Sequence, residues 1–144
     1  MHGSEDPTPE SIVDLLETLS RAGVLLAKTP VSESTSGQLW QAVVSVARFV
    51  PSYPEETWDF AARWGRHRAE DIRSAIASCL LEHLLELHFQ LIFPRVELAA
   101  REDTLFADTF LRCWKLGQSR RADNEARFDS LARQCRGVEA RRAS

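Results

Sequence analysis

The sequence predicts an all-α protein, and two observations carry this prediction. Apolar residues recur at steps of three or four along most of the chain, which is the spacing of one face of an α-helix. No stretch alternates between apolar and polar residues as a half-buried β-strand does. The spacing therefore predicts about six to seven helices that pack on one another.

Length and composition are typical of one soluble domain. The chain has 144 residues, of which 44% are hydrophobic and 27% charged, enough to bury a core without disulfides or metals. No apolar run approaches the roughly 20 residues that span a bilayer, and the polar, acidic start does not resemble a secretory signal. We expect a cytoplasmic protein with a disordered segment at 1–8, one helical domain at 9–137 and a flexible tail at 138–144.

The first two predicted helices follow from apolar stripes and local capping signals. The first starts at Pro9, with Ser11 and Asp14 as an alternative capping pair, and it ends near Lys28. Its predicted buried stripe is Ile12, Leu15, Leu16, Leu19, Ala22 and Leu26. The second runs from about 37 to 50, with an inner face of Leu39, Trp40, Val43, Val46, Ala47 and Val50.

A third helix and a long central helix follow. The third begins at Pro54, and the central helix runs from about Ala69 to Gln90. The predicted buried stripe of the central helix is Ile72, Ile76, Leu80, Leu84, Leu87 and Leu91. A separate polar strip holds Asp71, Ser74, Ser78, Glu82 and Glu86. We expect this helix to organise the fold, because its stripe is wide enough to touch several neighbours.

Three further helices complete the predicted order. Phe93-Pro94 marks a break or kink, after which a short helix covers 94–101. The next helix covers 103–117, with Gly117 as a left-handed cap. The last covers about 124–136 and ends at Gly137.

Short and long helices alternate in a way that suggests a repeat. Residues 55–67 and 69–90 form one predicted pair, and residues 94–101 and 103–117 form another.

The start of the central helix resembles the second helix of a HEAT repeat. It opens with an acidic residue, an Ile-Arg dipeptide and small or apolar residues, namely Asp71, Ile72, Arg73, Ala75, Ala77 and Leu80. The resemblance covers mainly residues 55–90. It implies stacked antiparallel helix pairs in a short α-solenoid, in which the Asp and Arg tie successive repeats together. An irregular helical bundle is the alternative.

Charge is unevenly distributed along the chain. Residues 1–60 hold 3 basic and 9 acidic side chains, whereas residues 111–144 hold 9 basic and 4 acidic ones. Nucleic-acid binding through the basic C-terminal region is therefore an alternative function. Its candidate residues are Arg120, Arg121, Arg127, Arg133, Arg136, Arg141 and Arg142.

Residues 82–88 form the cluster that most invites a chemical site. Glu82 and Glu86 lie one turn apart and could hold a metal, which makes a metal-dependent enzyme another alternative. We favour a solvated acidic face, because no His-Glu-x-x-His order or di-iron Glu-x-x-His pattern is present.

The cysteines and tryptophans are interpreted first as core residues. Cys79, Cys113 and Cys135 match no disulfide or zinc spacing. All four tryptophans are interpreted as core residues, with an exposed contact role as the alternative for Trp64, which is flanked by arginines.

The favoured function is non-catalytic binding of another protein, as an adaptor, a regulatory subunit or a toxin-neutralising subunit. No catalytic residue, metal ligand, cofactor or oligomeric state is assigned. The predicted partner-binding residues are Arg63, Trp64, Arg66, Arg68, Glu82 and Glu86.

Overall fold

The computed structural model describes residues 11–28 and 36–143. The helices are α1 (Ile12–Lys28), α2 (Ser36–Ala47), α3 (Pro54–Trp64), α4 (Glu70–Ile76), α5 (Glu82–Glu102), α6 (Thr104–Leu111) and α7 (Ala122–Ala143). A π-helical turn, Ala77–Leu81, joins α4 to α5, and a 3₁₀ turn, Gly117–Arg120, precedes α7. None of the described residues forms a strand, so the all-α prediction is confirmed.

Helix starts agree best with the sequence, because their signals are local. Ser11 caps α1 by accepting a hydrogen bond from the Asp14 N–H at 3.0 Å. Asp103 caps α6 by accepting hydrogen bonds from the N–H groups of Leu105 and Phe106. The predicted helix start at Pro9 and the predicted disordered segment lie outside the described residues.

The helix from Glu70 to Glu102 is the centre of the fold. Helices α2, α3, α6 and α7 and the 3₁₀ turn all pack against it, whereas α1 packs mainly on α2. Its fully buried residues include Ile72, Ile76, Leu80, Leu84, Phe89, Ile92 and Phe93. The helix is long and apolar enough to cross a membrane, but 56% of its most apolar window is buried inside the protein, as in a core helix.

The predicted break at Pro94 is wrong, because α5 continues through this residue to Glu102. The backbone leaves helical geometry at His88 instead, with φ −137° and ψ 45°. Residues 94–101 are therefore the second half of α5 and not a separate short helix. Leu87 and Leu91, predicted to be buried, are 42% and 39% exposed, because the π-helical turn Ala77–Leu81 rotates the residues that follow it and the kink at His88 rotates Leu91 again.

Both predicted glycine-terminated helix ends are wrong. Helix α6 ends at Leu111, so Gly117 caps no helix, although its φ of +48° is left-handed as predicted. Gly117 instead opens the 3₁₀ turn. Helix α7 continues through Gly137, whose φ is not positive, to Ala143. The flexibility of 138–144 stays a prediction.

The predicted stripe of α1 is buried only in part. Leu15, Ala22 and Leu26 are buried, but Ile12 and Leu16 are 43% and 56% exposed. The reason is that α1 packs mainly on α2, which covers one side of a stripe that is wider than one contact face.

Candidate functional site

A groove of about 680 Å³ lies between α1 and α3. The residues that line it are Leu16, Leu19, Ser20, Gly23, Val24, Ala27, Glu56, Asp59, Phe60, Arg63 and Trp64. Helix α1 supplies small and aliphatic side chains, and α3 supplies two aromatic rings and three charged groups. The groove is thus apolar inside and charged along one edge.

The α1 wall is apolar because this helix carries more aliphatic residues than its contact with α2 can cover. Leu16 and Val24 face the groove and are 56% and 52% exposed. Ile12 and Val13, one turn before Leu16, are also exposed. Aliphatic side chains clustered on one exposed face mark an interaction surface more often than singly scattered ones do.

The α3 side presents aromatic rings that are held in place. Trp64 is only 7% exposed, and its ring stacks on the ring of His67 with the centroids 6.0 Å apart. The Arg63 guanidinium lies 4.9 Å from the Trp64 ring centroid, within cation–π range. Gly23 brings α1 close to this ring, because a Cβ at position 23 would lie 3.8 Å from Trp64 Cζ2. The floor of the groove is therefore rigid.

His67 stays neutral beside this floor. Burial lowers the pKa of His67, and the positive charges of Arg68 and Arg73 lower it further. Its Nδ1 accepts a hydrogen bond from the Ala69 N–H at 2.9 Å. The ring thus fixes the turn after α3 and adds no charge to the groove.

Two carboxylates on α3, those of Glu56 and Asp59, line the edge of the groove. Neither makes an ion pair with another described residue, whereas the neighbouring Glu55 is bound by Arg95 at 2.7 Å. Arg95 also interacts at longer range with Asp59, so Glu56 is the less compensated of the two carboxylates next to the apolar floor. Such an edge favours a cationic side chain on whatever occupies the groove.

The structure brings together two of the six predicted partner-binding residues, Arg63 and Trp64. Arg66 lies after α3 and donates its Nε–H to the Ala62 carbonyl oxygen at 3.1 Å, and Arg68 is exposed on the following turn. Glu82 and Glu86 do not line the groove. Both carboxylates lie on α5.

Glu82 is 8% exposed, so its predicted place on a solvated acidic face is wrong. Its Oε2 accepts a hydrogen bond from the Trp114 N–H at 2.8 Å, because the segment after α6 folds over it. Glu86 Oε1 is 2.8 Å from His83 Nδ1. The two carboxylates thus have separate partners.

The region around Glu82 has neither a metal cluster nor an activated nucleophile among the described residues. No three His, Cys, Asp or Glu side chains of the described chain lie close enough to hold a metal ion. Burial raises the pKa of Cys79 to about 11, and burial also raises the pKa of Cys113 well above its ordinary value; the charge of Glu82 adds to both effects. Both thiols are therefore protonated at neutral pH and are poor nucleophiles.

Trp114 is the exposed tryptophan that the sequence interpretation missed. It is 75% exposed, whereas Trp64, for which exposure was the alternative, is buried. Spacing gave no signal of this exposure, because Trp114 follows Phe106 and Phe110 at steps of four and would share their face if α6 did not end at Leu111.

The basic residues proposed for nucleic-acid binding are dispersed. Four of them are exposed: Arg120 ends the 3₁₀ turn, Arg121 links it to α7, and Arg133 and Arg136 lie on α7. Arg127 instead packs over the ring of Phe93 at 5.0 Å and pairs with Glu97 at 3.6 Å. The Arg142 side chain lies outside the described part.

Comparisons of the chain with protein-family models, with curated proteins and with solved structures find no match.

Proposed function

We propose that this chain is a non-catalytic protein-binding module whose α1–α3 groove receives an amphipathic helix of a partner protein. The observation that carries the proposal is the groove itself, with exposed Leu16 and Val24 on one wall and the fixed Trp64 ring on the floor. A helix that buries one apolar face in such a groove gains free energy in proportion to the apolar area removed from water.

The charged edge indicates the kind of helix. Glu56 makes no ion pair with another described residue, and Asp59 interacts with Arg95 only at longer range, so the partner helix is expected to carry Lys or Arg beside its apolar face. Trp64 and Arg63 are of the residue types that contribute most binding energy in protein interfaces.

A HEAT-like arrangement of residues 55–90 is part of the same proposal. Arg73, the arginine of the resemblance, donates to Asp108 of α6 at 2.9 Å and to the carbonyl oxygens of His67 and Arg68. This tie between neighbouring helices is similar in kind to the one that the resemblance implies. Asp71, the acidic member, is exposed. A binding role in the cytoplasm is consistent with three reduced cysteines.

Photo-cross-linking from the groove tests the proposal. A photoreactive residue at Ser20, in the groove, is expected to capture one partner protein in native cells, whereas the same residue at Gln41 of α2 is expected not to. The cross-linked segment should be an amphipathic helix with basic residues.

Two matched variants provide the control. Val24 and Val44 are 52% and 51% exposed, but only Val24 lines the groove. Val24→Glu should weaken the complex at least about tenfold, or about 1.4 kcal/mol, and Val44→Glu should leave it unchanged. Equal losses in the two variants, or no partner captured from Ser20, would show that the groove is not the binding site.

A further inference from the structure

Trp114 is the most exposed of the large apolar side chains in the described chain, at 75%. It lies in the segment between the end of α6 at Leu111 and the 3₁₀ turn that begins at Gly117. An indole ring exposed to water is unfavourable, because it is among the largest apolar groups that a protein can bury. Its exposure therefore suggests that the ring contacts a binding partner.

The backbone that carries this ring is fixed on both sides. The Trp114 N–H donates to the buried Glu82 carboxylate at 2.8 Å, and the Cys113 N–H donates to the Phe110 carbonyl oxygen at 3.0 Å. The Lys115 Nζ forms ion pairs with Glu125 and Asp129 of α7, both at 2.9 Å. A ring presented by an ordered backbone loses little conformational entropy when it binds.

A concavity of about 330 Å³ lies beside the ring. Its lining residues are Leu111, Arg112, Cys113, Trp114, Lys115, Phe128, Asp129, Ala132 and Arg136. Three of these are cations and one is a carboxylate, but two of the cations are paired with carboxylates.

The bonding of these charged groups shows which one is available. Arg112 is bound by Asp108, Glu70 and Ser74, and Lys115 neutralises Asp129. Arg136, by contrast, is exposed and makes no ion pair or hydrogen bond to another described residue. An approaching ligand therefore meets one aromatic face and one free guanidinium.

We infer that Trp114 and Arg136 form a second docking surface, which binds an acidic peptide segment of a partner protein. An apolar side chain of the segment packs on the indole ring, and a neighbouring Asp or Glu pairs with the Arg136 guanidinium, a donor group that suits carboxylates. This surface shares no lining residue with the α1–α3 groove, so it does not depend on the function proposed for that groove.

Peptide display tests the inference with defined ligands. Random peptides are selected on the full chain and counter-selected on Trp114→Ala, a substitution at an exposed position that should leave the fold intact. The selected peptides are expected to share an apolar residue next to Asp or Glu. Absence of any Trp114-dependent peptide, or a basic consensus, would overturn the inference.

Affinity measurements on the selected peptides complete the test. Arg136→Glu should weaken binding at least about tenfold, because it replaces an attractive pair by a repulsive one. Arg133→Glu is the matched control, since Arg133 is exposed on the same helix and does not line the concavity. Val24→Glu, in the other groove, should also have no effect. Equal losses for Arg133→Glu and Arg136→Glu would contradict the assigned site.

Discussion

The side chain of Gln118 accepts a hydrogen bond from the backbone N–H of Phe89 at 2.8 Å. Its Nε2 also donates to the Leu87 carbonyl oxygen at 2.8 Å. Between these two residues, His88 departs from helical geometry, which interrupts the hydrogen-bond ladder of α5. A buried backbone group without a partner is unfavourable, so a kink persists only where other groups satisfy it. Gln118 supplies both bonds from the 3₁₀ turn.

Gln118→Ala should lower the free energy of unfolding by about 1–2 kcal/mol, because it leaves the Phe89 N–H without its partner, whereas water can replace the exposed bond to the Leu87 carbonyl oxygen. Gln118→Glu keeps an acceptor for Phe89 and loses the donor to Leu87, so its effect should be intermediate. Urea denaturation measures both. The control is Gln134→Ala, because the Gln134 side chain is exposed and its hydrogen bonds are 3.5 Å long. This substitution should change the free energy of unfolding by close to zero.

Gly117→Ala should destabilise the protein by about 2 kcal/mol. Its φ of +48° is unfavourable for a residue with a Cβ, and that Cβ would lie 2.6 Å from Glu86 Cγ and 3.0 Å from the Glu86 carbonyl oxygen. Gly37→Ala is the matched control, since Gly37 lies in α2 with open space around it. It should stabilise the protein by about 0.5 kcal/mol. Thermal unfolding measures both variants. Equal shifts of the two unfolding midpoints would contradict the close packing at Gly117.

Helix type and most helix starts could be predicted because their causes are local. The cap at Asp103 and the start at Pro54 depend on residues within one turn, so the sequence pattern is sufficient. The buried face of the central helix as far as Leu84 also follows from spacing alone. Ile72, Ile76 and Leu80 are fully buried as predicted.

Features that depend on distant residues could not be predicted in this way. The position of the kink depends on Gln118, which is about 30 residues away along the chain. The burial of Glu82 depends on where the segment after α6 folds back. Periodicity within one helix also cannot show how much of its apolar surface the neighbours cover, which is why the exposed wall at Leu16 was predicted to be buried.

Trp114 should account for most of the quenchable tryptophan fluorescence. Trp58 and Trp64 are each 7% exposed, whereas Trp114 is 75% exposed, so iodide reaches Trp114 most easily. Trp114→Phe should sharply reduce the Stern–Volmer slope, and Trp64→Phe should leave the quenched fraction unchanged or larger. A slope that stays the same in Trp114→Phe would place this ring inside the protein.

Glu82→Gln should make the protein more stable at neutral pH. Burial raises the pKa of Glu82, although the Trp114 N–H and His83 partly oppose this effect. Because the folded pKa exceeds the ordinary value of 4.5, the stability contributed by the protonated carboxyl is complete below pH 4.5 and is lost as pH rises through the folded pKa. Glutamine retains an acceptor for Trp114 without ionising.

The unfolding free energies of wild type and Glu82→Gln should therefore be closest in acid and should diverge in favour of the variant as pH rises. Urea denaturation at a series of pH values measures the difference. Glu82→Ala, which removes the acceptor as well, should be destabilised at every pH. A wild type that is more stable than Glu82→Gln at pH 7 would mean that the ionised carboxylate's bond to Trp114 outweighs its desolvation.

Asp108→Asn should destabilise the protein by about 2 kcal/mol at neutral pH. Asp108 Oδ2 is 2.9 Å from Arg73 Nε and 2.8 Å from Arg112 Nε, and the Arg73 side chain is only 10% exposed. Removing the carboxylate leaves a buried guanidinium without its counter-charge, which is more harmful than the loss of an exposed pair. Glu55→Gln is the control, because its pair with Arg95 is largely exposed and should contribute little.

The pH dependence separates this charge effect from a change in packing. Burial alone raises the pKa of Asp108, but the hydrogen bonds from Arg112 and Arg73 outweigh it, so the pKa lies below its ordinary value of 3.8. The pair therefore stabilises the fold above pH 3.8, and this contribution is lost as pH falls through the folded pKa. The difference in unfolding free energy between wild type and Asp108→Asn should therefore shrink in acid. If the difference in unfolding free energy between wild type and Asp108→Asn stays constant from neutral to acidic pH, the destabilisation comes from packing and not from charge.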